Sequence, residues 1–334
     1  MTIETKAPCR VDLAGGTLDI WPLYLYHPSG VTVNFAVNLY TRCRIERRAD
    51  SAIVLRSTDQ KVEETFPDFS ALKKARNYRH SLAAHVVRHF EPEGGLDVTT
   101  HSEAPAGGGI SGSSSLLIST VSAFNRLCQT GHKIETVREM AQNIEARIIK
   151  VPTGCQDYYP AMYGGVNAIE LRVEGLRRQA IAVDAGELNR RFVLAYTAKP
   201  RNSGINNWEV TKAHIDGDRR VWRNFERIAA IANGMRLALE KSDWKEAARL
   251  LREEWSFRKT NAPGITTPQI DHLVEVTRKA GARAGKVCGA GGGGCVVFLC
   301  EPDAKARVAA VIEAEGGRVL DVRIAPKGVS VKVA

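Results

Sequence analysis

Apolar residues recur along the chain at two spacings, which separate predicted strands from predicted helices. Short runs in which every second residue, or every residue, is apolar predict strands at 6–13, 31–38, 52–55, 96–100, 192–196, 295–300, 318–324 and 329–333. Apolar stripes that repeat every three or four residues predict helices at 81–90, 116–127, 133–149, 219–240, 243–259, 267–279 and 302–314. Residues 151–165 show neither pattern and are predicted to be mostly loop.

The order of these elements predicts the fold class. Strands and helices mix without a regular strand–helix–strand rhythm, which favours an α+β fold over a doubly wound α/β fold. A length of 334 residues allows two domains with substantial cores, which we assign to residues 1–183 and 184–334. Between the predicted helices 219–240 and 243–259, Ser242 is the expected N-cap.

Composition narrows the functional classes. A hydrophobic share of 44% and a charged share of 25% are typical of a soluble globular protein, and no apolar run is long enough to span a bilayer. The seven cysteines are irregularly spaced, which argues against a disulfide framework or a zinc site, so we expect a reduced, cytoplasmic protein. The net charge of +10 suits an anionic small molecule. The lysines and arginines are scattered along the chain, which argues against nucleic-acid binding.

The segment PAGGGISGSSSL, residues 105–116, lies between a predicted strand and a predicted helix. Backbone N–H groups at such a turn point towards one spot, backed by the positive end of the helix dipole, and this arrangement binds phosphate oxygens. No Gly-Lys-Ser/Thr follows, so the segment is not a Walker A loop. A flexible linker is the alternative, but linkers seldom run directly into an apolar helix, so we favour an anion-binding loop.

A second glycine-rich segment, VCGAGGGGCVVF at residues 287–298, precedes a predicted buried strand. Glycines cost conformational entropy on folding, so their concentration here needs a reason. Close passage against a ligand or another backbone explains them, and a strained turn explains them equally well.

Three charged residues are candidates for chemistry, two after predicted turns and one on a short predicted strand. Asp157, in PTGCQDYY (152–159), can accept a proton from an alcohol, although a lone aspartate at a turn is more often a cap. In APCRVDLAGGTLDIW (7–21), Arg10 can neutralise phosphate charge and Asp19 can accept hydrogen bonds from sugar hydroxyls. Ordinary surface charge is the alternative for both.

Together these segments resemble a known family. Residues 105–116 are similar to the P-x-G-x-G-L-x-x-S-S-A-L signature of the GHMP kinases, residues 7–19 to their N-terminal motif, and residues 286–297 to their C-terminal glycine motif. The three motifs occur in the family's order and span nearly the whole chain. Residues 154–170 and 251–271 further resemble the members that act on D-glycero-D-manno-heptose 7-phosphate, and the kinase half of fucokinases.

The resemblance implies a two-domain GHMP kinase fold: an N-terminal domain like ribosomal protein S5 domain 2, a ferredoxin-like C-terminal domain, and ATP in the cleft between them. It implies an ATP- and Mg²⁺-dependent enzyme that phosphorylates a sugar or sugar phosphate, with the anomeric hydroxyl of the heptose 7-phosphate as the expected acceptor. The alternatives are a kinase of the galactokinase or fucokinase type, and a catalytically silent sugar or nucleotide sensor. We expect no nucleic-acid or membrane partner, and a monomer or homodimer.

The resemblance also assigns roles by position. Asp157 takes the base position with Arg10 beside it, while Glu145 and Ser113 take the magnesium positions, with Ser114 as the neighbouring alternative. The remaining assignments are substrate binding by Gly16, Thr17, Asp19, Gln156, Gly291 and Gly292, and triphosphate binding by Pro105, Gly107, Gly108, Gly109, Ser111, Gly112, Ser113 and Ser114.

Overall fold

The structure, a computed structural model, describes residues 1–197 and 203–334, with backbone alone at 203–206. The strands are β1 (Thr2–Ala14), β2 (Val31–Arg47), β3 (Ile53–Ser57), β4 (Val62–Phe66), β5 (Leu96–Ser102), β6 (Val166–Arg172), β7 (Gly175–Ala180), β8 (Phe192–Tyr196), β9 (Ala282–Val287), β10 (Cys295–Cys300), β11 (Arg318–Leu320) and β12 (Ser330–Val333). The α-helices are α1 (Phe69–Lys74), α2 (Ser81–Phe90), α3 (Gly112–Leu127), α4 (Ile134–Ile149), α5 (Tyr158–Tyr163), α6 (Ala185–Arg191), α7 (Ser203–Ile215), α8 (Arg219–Glu240), α9 (Trp244–Arg258), α10 (Pro268–Lys279) and α11 (Lys305–Ala314). Short 3₁₀ turns occupy Leu23–Tyr26 and Pro302–Ala304.

The described strands form two sheets. The larger has the order β12-β1-β2-β5-β3-β4, and β6 pairs with the first half of β2 and carries β7 on its other side. The smaller has the order β11-β8-β10-β9. Of these pairs, only β3 with β5 is parallel. Antiparallel sheets mixed with helices confirm the predicted α+β class.

The two sheets share a continuous core, which explains why β1 is so deeply buried. Helix α3 packs along β1 and β2, and α8 and α9 from the second half of the chain pack against β1 as well. Phe35 of β2 and Phe192 of β8 meet edge to face, with their ring centroids 4.9 Å apart. The inner half of β1 therefore lies between the two halves of the molecule, where any charged side chain must find a partner.

The end of the chain returns to the first sheet. Strand β12 pairs with β1, with Val333 opposite Ile3, and Ile324 forms a bridge with Val37. The last residues therefore pack with residues 1–183, although they follow the smaller sheet in sequence. The proposed boundary between 183 and 184 stays a prediction.

Several predicted elements have different bounds in the structure. The interval 151–165 contains α5, which is too short for a periodic pattern but buries Tyr158 and Tyr159. The predicted strand 318–324 ends at Leu320, and the helix predicted from residue 116 already begins at Gly112. The glycine-rich loop is accordingly shorter than its composition indicates, and its last serines lie in the first turn of α3.

The prediction of Ser242 as an N-cap is wrong. Ser242 has a positive φ of 54°, which removes it from the extended conformation usual for a cap. The Asp243 carboxylate instead accepts a hydrogen bond from the Glu246 N–H at 3.0 Å and caps α9.

Candidate active site

A cavity of about 390 Å³ opens where β1, the loop before α3, and the loop before α5 meet. It collects most of the residues that the sequence motifs single out. These lining residues are Arg10, Thr17, Asp19, Pro105, Gly107, Gly108, Gly109, Ser111, Gly112, Ser113, Glu145, Gln156 and Asp157, and they are joined by Asn207, Arg258, Gly289 and Ala290. Four further candidates, Gly16, Ser114, Gly291 and Gly292, lie outside the lining.

The loop before α3 is folded as a tight cradle. Gly107 and Gly109 have φ angles of 64° and 70°, in the left-handed region that glycine enters without strain. A Cβ on Gly108 would lie 2.7 Å from the Pro105 carbonyl oxygen, so a side chain would not fit there. Among the residues that the structure describes, the buried Ser111 hydroxyl has no hydrogen-bond partner. Because α3 begins at the next residue, its unpaired N–H groups lie at the wall, and the loop fits an anion with several acceptor oxygens.

Glu145, on α4, is buried at the base of this cradle. It accepts hydrogen bonds from the hydroxyls of Ser113 at 2.5 Å, Ser114 at 2.8 Å and Tyr158 at 2.5 Å. Burial raises the pKa of Glu145 despite these three bonds. In the described part of the chain, no lysine or arginine forms an ion pair with it.

The donor set around Glu145 fits a hard cation. Carboxylate and hydroxyl oxygens are ligands that Mg²⁺ accepts, and Mg²⁺ commonly takes only one or two carboxylates and completes its shell with phosphate oxygens and water. Among the described residues, no cluster of three or more His, Cys, Asp or Glu side chains could hold a metal alone. A magnesium ion shared between protein and nucleotide is the arrangement these residues fit. Ser113 lines the cavity, whereas Ser114 does not.

Arg10 and Asp157 form a pair at the centre of the cavity. The Arg10 Nε and Nη2 atoms donate to Asp157 Oδ1 at 2.9 and 2.6 Å, and Nη1 donates to the Gly109 carbonyl at 2.7 Å. Arg10 is almost fully buried, while a quarter of the Asp157 side chain remains exposed. The carboxylate therefore faces the cavity while the guanidinium holds it against the glycine loop.

Asp19 also lines the cavity and is held by Gln156, the residue before Asp157. Its carboxylate accepts a hydrogen bond from the Gln156 N–H at 2.8 Å. A Cβ on Gly154 would lie 2.2 Å from the Asp19 carboxylate, so glycine is required there. Burial, followed by the nearby charge of Asp157, raises the pKa of Asp19 to about 6.

The second glycine-rich segment packs mainly against other backbone. Gly292 donates its N–H to the Ile265 carbonyl at 2.8 Å, and a Cβ on Gly291 would lie 2.4 Å from the same oxygen. At the other end, the Cys295 N–H donates to the Gly108 carbonyl at 2.7 Å, which joins the two glycine-rich segments. The structure thus places Gly291 and Gly292 against a neighbouring turn, and Gly289 and Ala290 at the cavity wall.

The predicted site leaves out a group of charged residues behind the wall. Asp12 and Lys286 are completely buried and lie 2.6 Å apart, on strands from the two sheets. Both residues were inside recognised motifs, yet neither was assigned a role. A signal for this pair is present in the sequence: both charges lie in mostly apolar segments, and they are opposite in sign. A buried charge needs a partner of opposite sign, so the two residues could have been paired.

Comparison with known proteins assigns the chain to a family. The model of the GHMP kinases N terminal domain matches residues 77–165, and the model of the GHMP kinases C terminal matches residues 235–318. The chain belongs to the GHMP kinase family. This confirms the predicted family and two-domain fold, and it identifies the protein as a kinase.

Individual relatives of this GHMP kinase cover its full length. It is 27% identical to a D-glycero-alpha-D-manno-heptose 7-phosphate kinase of Campylobacter jejuni, over 98% of each chain. The crystal structure of a D-glycero-D-manno-heptose 1-phosphate kinase from Bacteroides thetaiotaomicron superposes with a TM-score of 0.80 at 26% identity, over 99% of each chain. A Lactococcus lactis galactokinase has the same fold, with a TM-score of 0.80 at 20% identity over 98% of this chain and 95% of that one.

Within the residues that the structure describes, no helix is long and apolar enough to cross a membrane.

Proposed function

We propose that the protein transfers the γ-phosphoryl group of ATP to the anomeric hydroxyl of a sugar or sugar phosphate, with D-glycero-D-manno-heptose 7-phosphate converted to the 1,7-bisphosphate. The observation that carries this proposal is the Arg10–Asp157 pair, which contacts the anion cradle through the Gly109 carbonyl and neighbours Asp19 through Gln156 within one cavity. Such an order supports a nucleotide at one end, an acceptor hydroxyl at the other, and the transfer between them.

The loop before α3 and the first turn of that helix bind the triphosphate in this proposal. The cradle glycines let the backbone approach the phosphates, and Ser111 offers its unpartnered hydroxyl. Glu145 and Ser113 hold Mg²⁺, which supplies positive charge to the phosphate oxygens when it is bound. Leu82 and Ile148 also line the cavity, and they present apolar surface suited to the flat face of the adenine ring.

Asp157 and Arg10 act on the reacting groups. Asp157 accepts or orients the proton of the acceptor hydroxyl, whose oxygen forms the new bond to the γ-phosphorus while the bond from phosphorus to the ADP oxygen breaks. Arg10 opposes the negative charge of the transferring group and keeps Asp157 oriented. An anomeric hydroxyl is more acidic than an ordinary alcohol, so a modest base is sufficient.

The acceptor binds at the Asp19 end. Asp19 accepts hydrogen bonds from sugar hydroxyls, and Thr17, Gln156 and Asn207 supply further polar groups at the wall. Gly289 and Ala290 line the cavity, whereas the resemblance assigned substrate binding to Gly291 and Gly292. The full-length similarity to a heptose 7-phosphate kinase supports a heptose phosphate as the acceptor.

A panel of acceptors tests the proposal. Aldoses and aldose phosphates, including the heptose 7-phosphate, galactose and fucose, are incubated with ATP and Mg²⁺, and the products are identified by phosphorus NMR. We expect an anomeric phosphate, formed most efficiently from the heptose 7-phosphate. Preferred turnover of galactose or fucose would replace the proposed acceptor, and turnover of mevalonate or homoserine without any sugar would overturn the sugar-kinase proposal.

The D157A variant tests the site independently of the acceptor. We expect kcat to fall by about 100-fold or more, the usual range for a lost acid–base group. The matched control is D50A, which removes an exposed aspartate that pairs with Arg48 and does not line the cavity. Unchanged activity in D157A would remove this residue from the mechanism.

A further inference from the structure

Behind the cavity wall, charged side chains of alternating sign form an unbroken row through the interior. From Asp157, the row continues to Arg10 at 2.6 Å and from there to Asp12 at 3.2 Å. Asp12 is 2.6 Å from Lys286, which is 3.2 Å from Glu254. The row ends at Arg258, 3.7 Å from Glu254.

The row connects elements that are distant in sequence. Arg10 and Asp12 lie on β1, Lys286 on β9, and Glu254 and Arg258 on α9. At its far end, Arg258 donates to the Thr17 hydroxyl at 2.9 Å and to the Gly289 carbonyl at 2.7 Å. Both ends therefore reach the cavity, one at the proposed catalytic pair and the other at the proposed acceptor end.

Asp12 is the branch point of the row. One of its oxygens accepts hydrogen bonds from Arg10 Nη1 and from the Gly289 N–H at 2.9 Å, and the other accepts from Lys286. A single carboxylate thus fixes the proposed catalytic arginine relative to the loop after β9. Because Arg10 also holds Asp157, a shift of Asp12 would move both members of that pair.

The complete burial of these charges indicates that the row serves to orient other groups, and not only to stabilise the protein. The side chains of Asp12, Lys286 and Glu254 are fully inaccessible and do not line the cavity. Apolar side chains of similar volume stabilise a protein interior about as well as a buried ion pair does, without the cost of desolvation. What an apolar replacement would not provide is a directional hold on the Arg10 guanidinium and on the Gly289 N–H.

We propose that Asp12 and Lys286 are positioning residues for phosphoryl transfer, which hold Arg10 and the loop at Gly289 in a fixed relation across the two sheets. This inference rests on the proposed function, because it takes Arg10 and Asp157 as the reacting pair. Neither Asp12 nor Lys286 touches substrate. Their contribution is orientation, which affects the rate of the bound complex more than the binding of either substrate.

The first test is the D12N variant, which keeps the shape of the side chain and removes its charge. We expect kcat to fall by about 30-fold or more, with KM values for ATP and acceptor within about threefold of the wild type. Hydrogen exchange should become faster in residues 287–295, where the Gly289 N–H loses its charged acceptor. The control is R191M, which removes a largely buried cation paired with Glu301 outside the row and should leave kcat and this exchange unchanged.

The second test separates positioning from charge balance. K286M alone leaves Asp12 and Glu254 without their shared cation, whereas K286M/E254Q removes one positive and one negative charge together. If the row only balances charge, the double variant will recover both the melting temperature and kcat. We expect it to recover the melting temperature while kcat stays low, because Asp12 is no longer tied to β9.

The outcomes separate this inference from the proposed function. A wild-type protein that phosphorylates no sugar contradicts the proposed function, and the exchange measurement still tests the coupling between Asp12 and the Gly289 loop. An active wild type with a folded D12N variant of nearly equal kcat overturns the positioning role. Recovery of kcat in K286M/E254Q overturns it as well, as does unchanged exchange at 287–295 in D12N.

Discussion

Asp12 and Glu145 are both buried carboxylates, yet their surroundings differ completely. Burial alone would raise the pKa of Asp12, but the positive charges of Lys286, Arg10 and Arg258 hold it well below its ordinary value. Glu145 is surrounded by hydroxyl groups, and burial raises its pKa above the ordinary value. The same functional group is therefore stabilised in its charged form at one place and destabilised at the other.

Asp12 has its counter-charges within the protein, whereas Glu145 has none among the described residues. The protein itself supplies the counter-charges of Asp12, so this carboxylate belongs to the framework that joins the two sheets. Glu145 has donors for its lone pairs but no described cation as a partner, and it lies directly beside the anion cradle. The proposed Mg²⁺ would supply the positive counter-charge of Glu145 when the nucleotide binds.

The largest expected effect comes from E145Q. Without the carboxylate, Mg²⁺ loses its only charged protein ligand in the proposed site, and we expect kcat/KM for ATP to fall by about 100-fold or more. The free energy of unfolding should change little, within about 1 kcal/mol, because an uncompensated buried charge is removed. Kinetics at increasing Mg²⁺ and denaturant unfolding of the ligand-free protein measure the two quantities. A large loss of stability with normal kinetics would mean that Glu145 is structural.

D12N should show the opposite balance in stability. Removing one partner from a buried ionic network leaves Lys286 and Arg10 insufficiently compensated, so we expect the free energy of unfolding to fall by about 3 kcal/mol. Denaturant unfolding of D12N beside E145Q, in the same buffer, measures the difference between the two carboxylates. Equal losses in the two variants would show that the contrast in their surroundings has no energetic consequence.

Asp19 provides an intermediate case, with burial opposed by a backbone donor and a pKa of about 6. We expect the ionised form of Asp19 to bind the sugar hydroxyls. Lowering the pH from 7 to 5 should then raise the KM for the sugar about tenfold, because the Asp19 carboxylate is protonated below pH 6 and loses its negative charge. KM measured across this range is the test. D19N lacks the titrating carboxylate, so any change of its KM across this range belongs to the substrate, and we expect a smaller rise in D19N than in the wild type. A wild-type KM that stays constant from pH 7 to pH 5 would contradict the role.

The smallest effect should distinguish two adjacent serines. Ser113 lines the cavity, while Ser114 is buried, although both donate to Glu145. We therefore expect S113A to raise the Mg²⁺ concentration needed for half-maximal activity by about tenfold, and S114A by about threefold or less. Titrations of Mg²⁺ at saturating ATP compare the variants directly. The reverse order would assign the metal contact to Ser114.

Much of the site could be anticipated from local patterns and family resemblance. The cradle of residues 105–111, the approach of Ser113 to Glu145, and the pairing of Arg10 with Asp157 all have the geometry expected from motif positions. These features depend on short segments whose residue types are unusual, such as glycines before a helix. Their roles in binding and catalysis remain predictions, which the variants above test.

Other features depend on contacts that no local pattern contains. The resemblance assigns Gly291 and Gly292 to substrate binding, but the turn at Ile265 occupies the space beside them. The short helix α5 escaped detection because it spans only six residues, five of them buried, which is too little for an amphipathic period. In both cases the neighbour that decides the outcome is remote in sequence.

By itself the sequence determined the α+β class, because apolar spacing is a local property. The resemblance of its short motifs to a known family supplied the family and the candidate positions for phosphate binding and acid–base chemistry. Only the tertiary structure decided which charges meet. Asp12 and Lys286 are 274 positions apart, and Arg258 reaches Thr17 across 241. A buried charge selects its partner through the packing of whole sheets and helices, since only proximity in a dry interior makes that pairing strong.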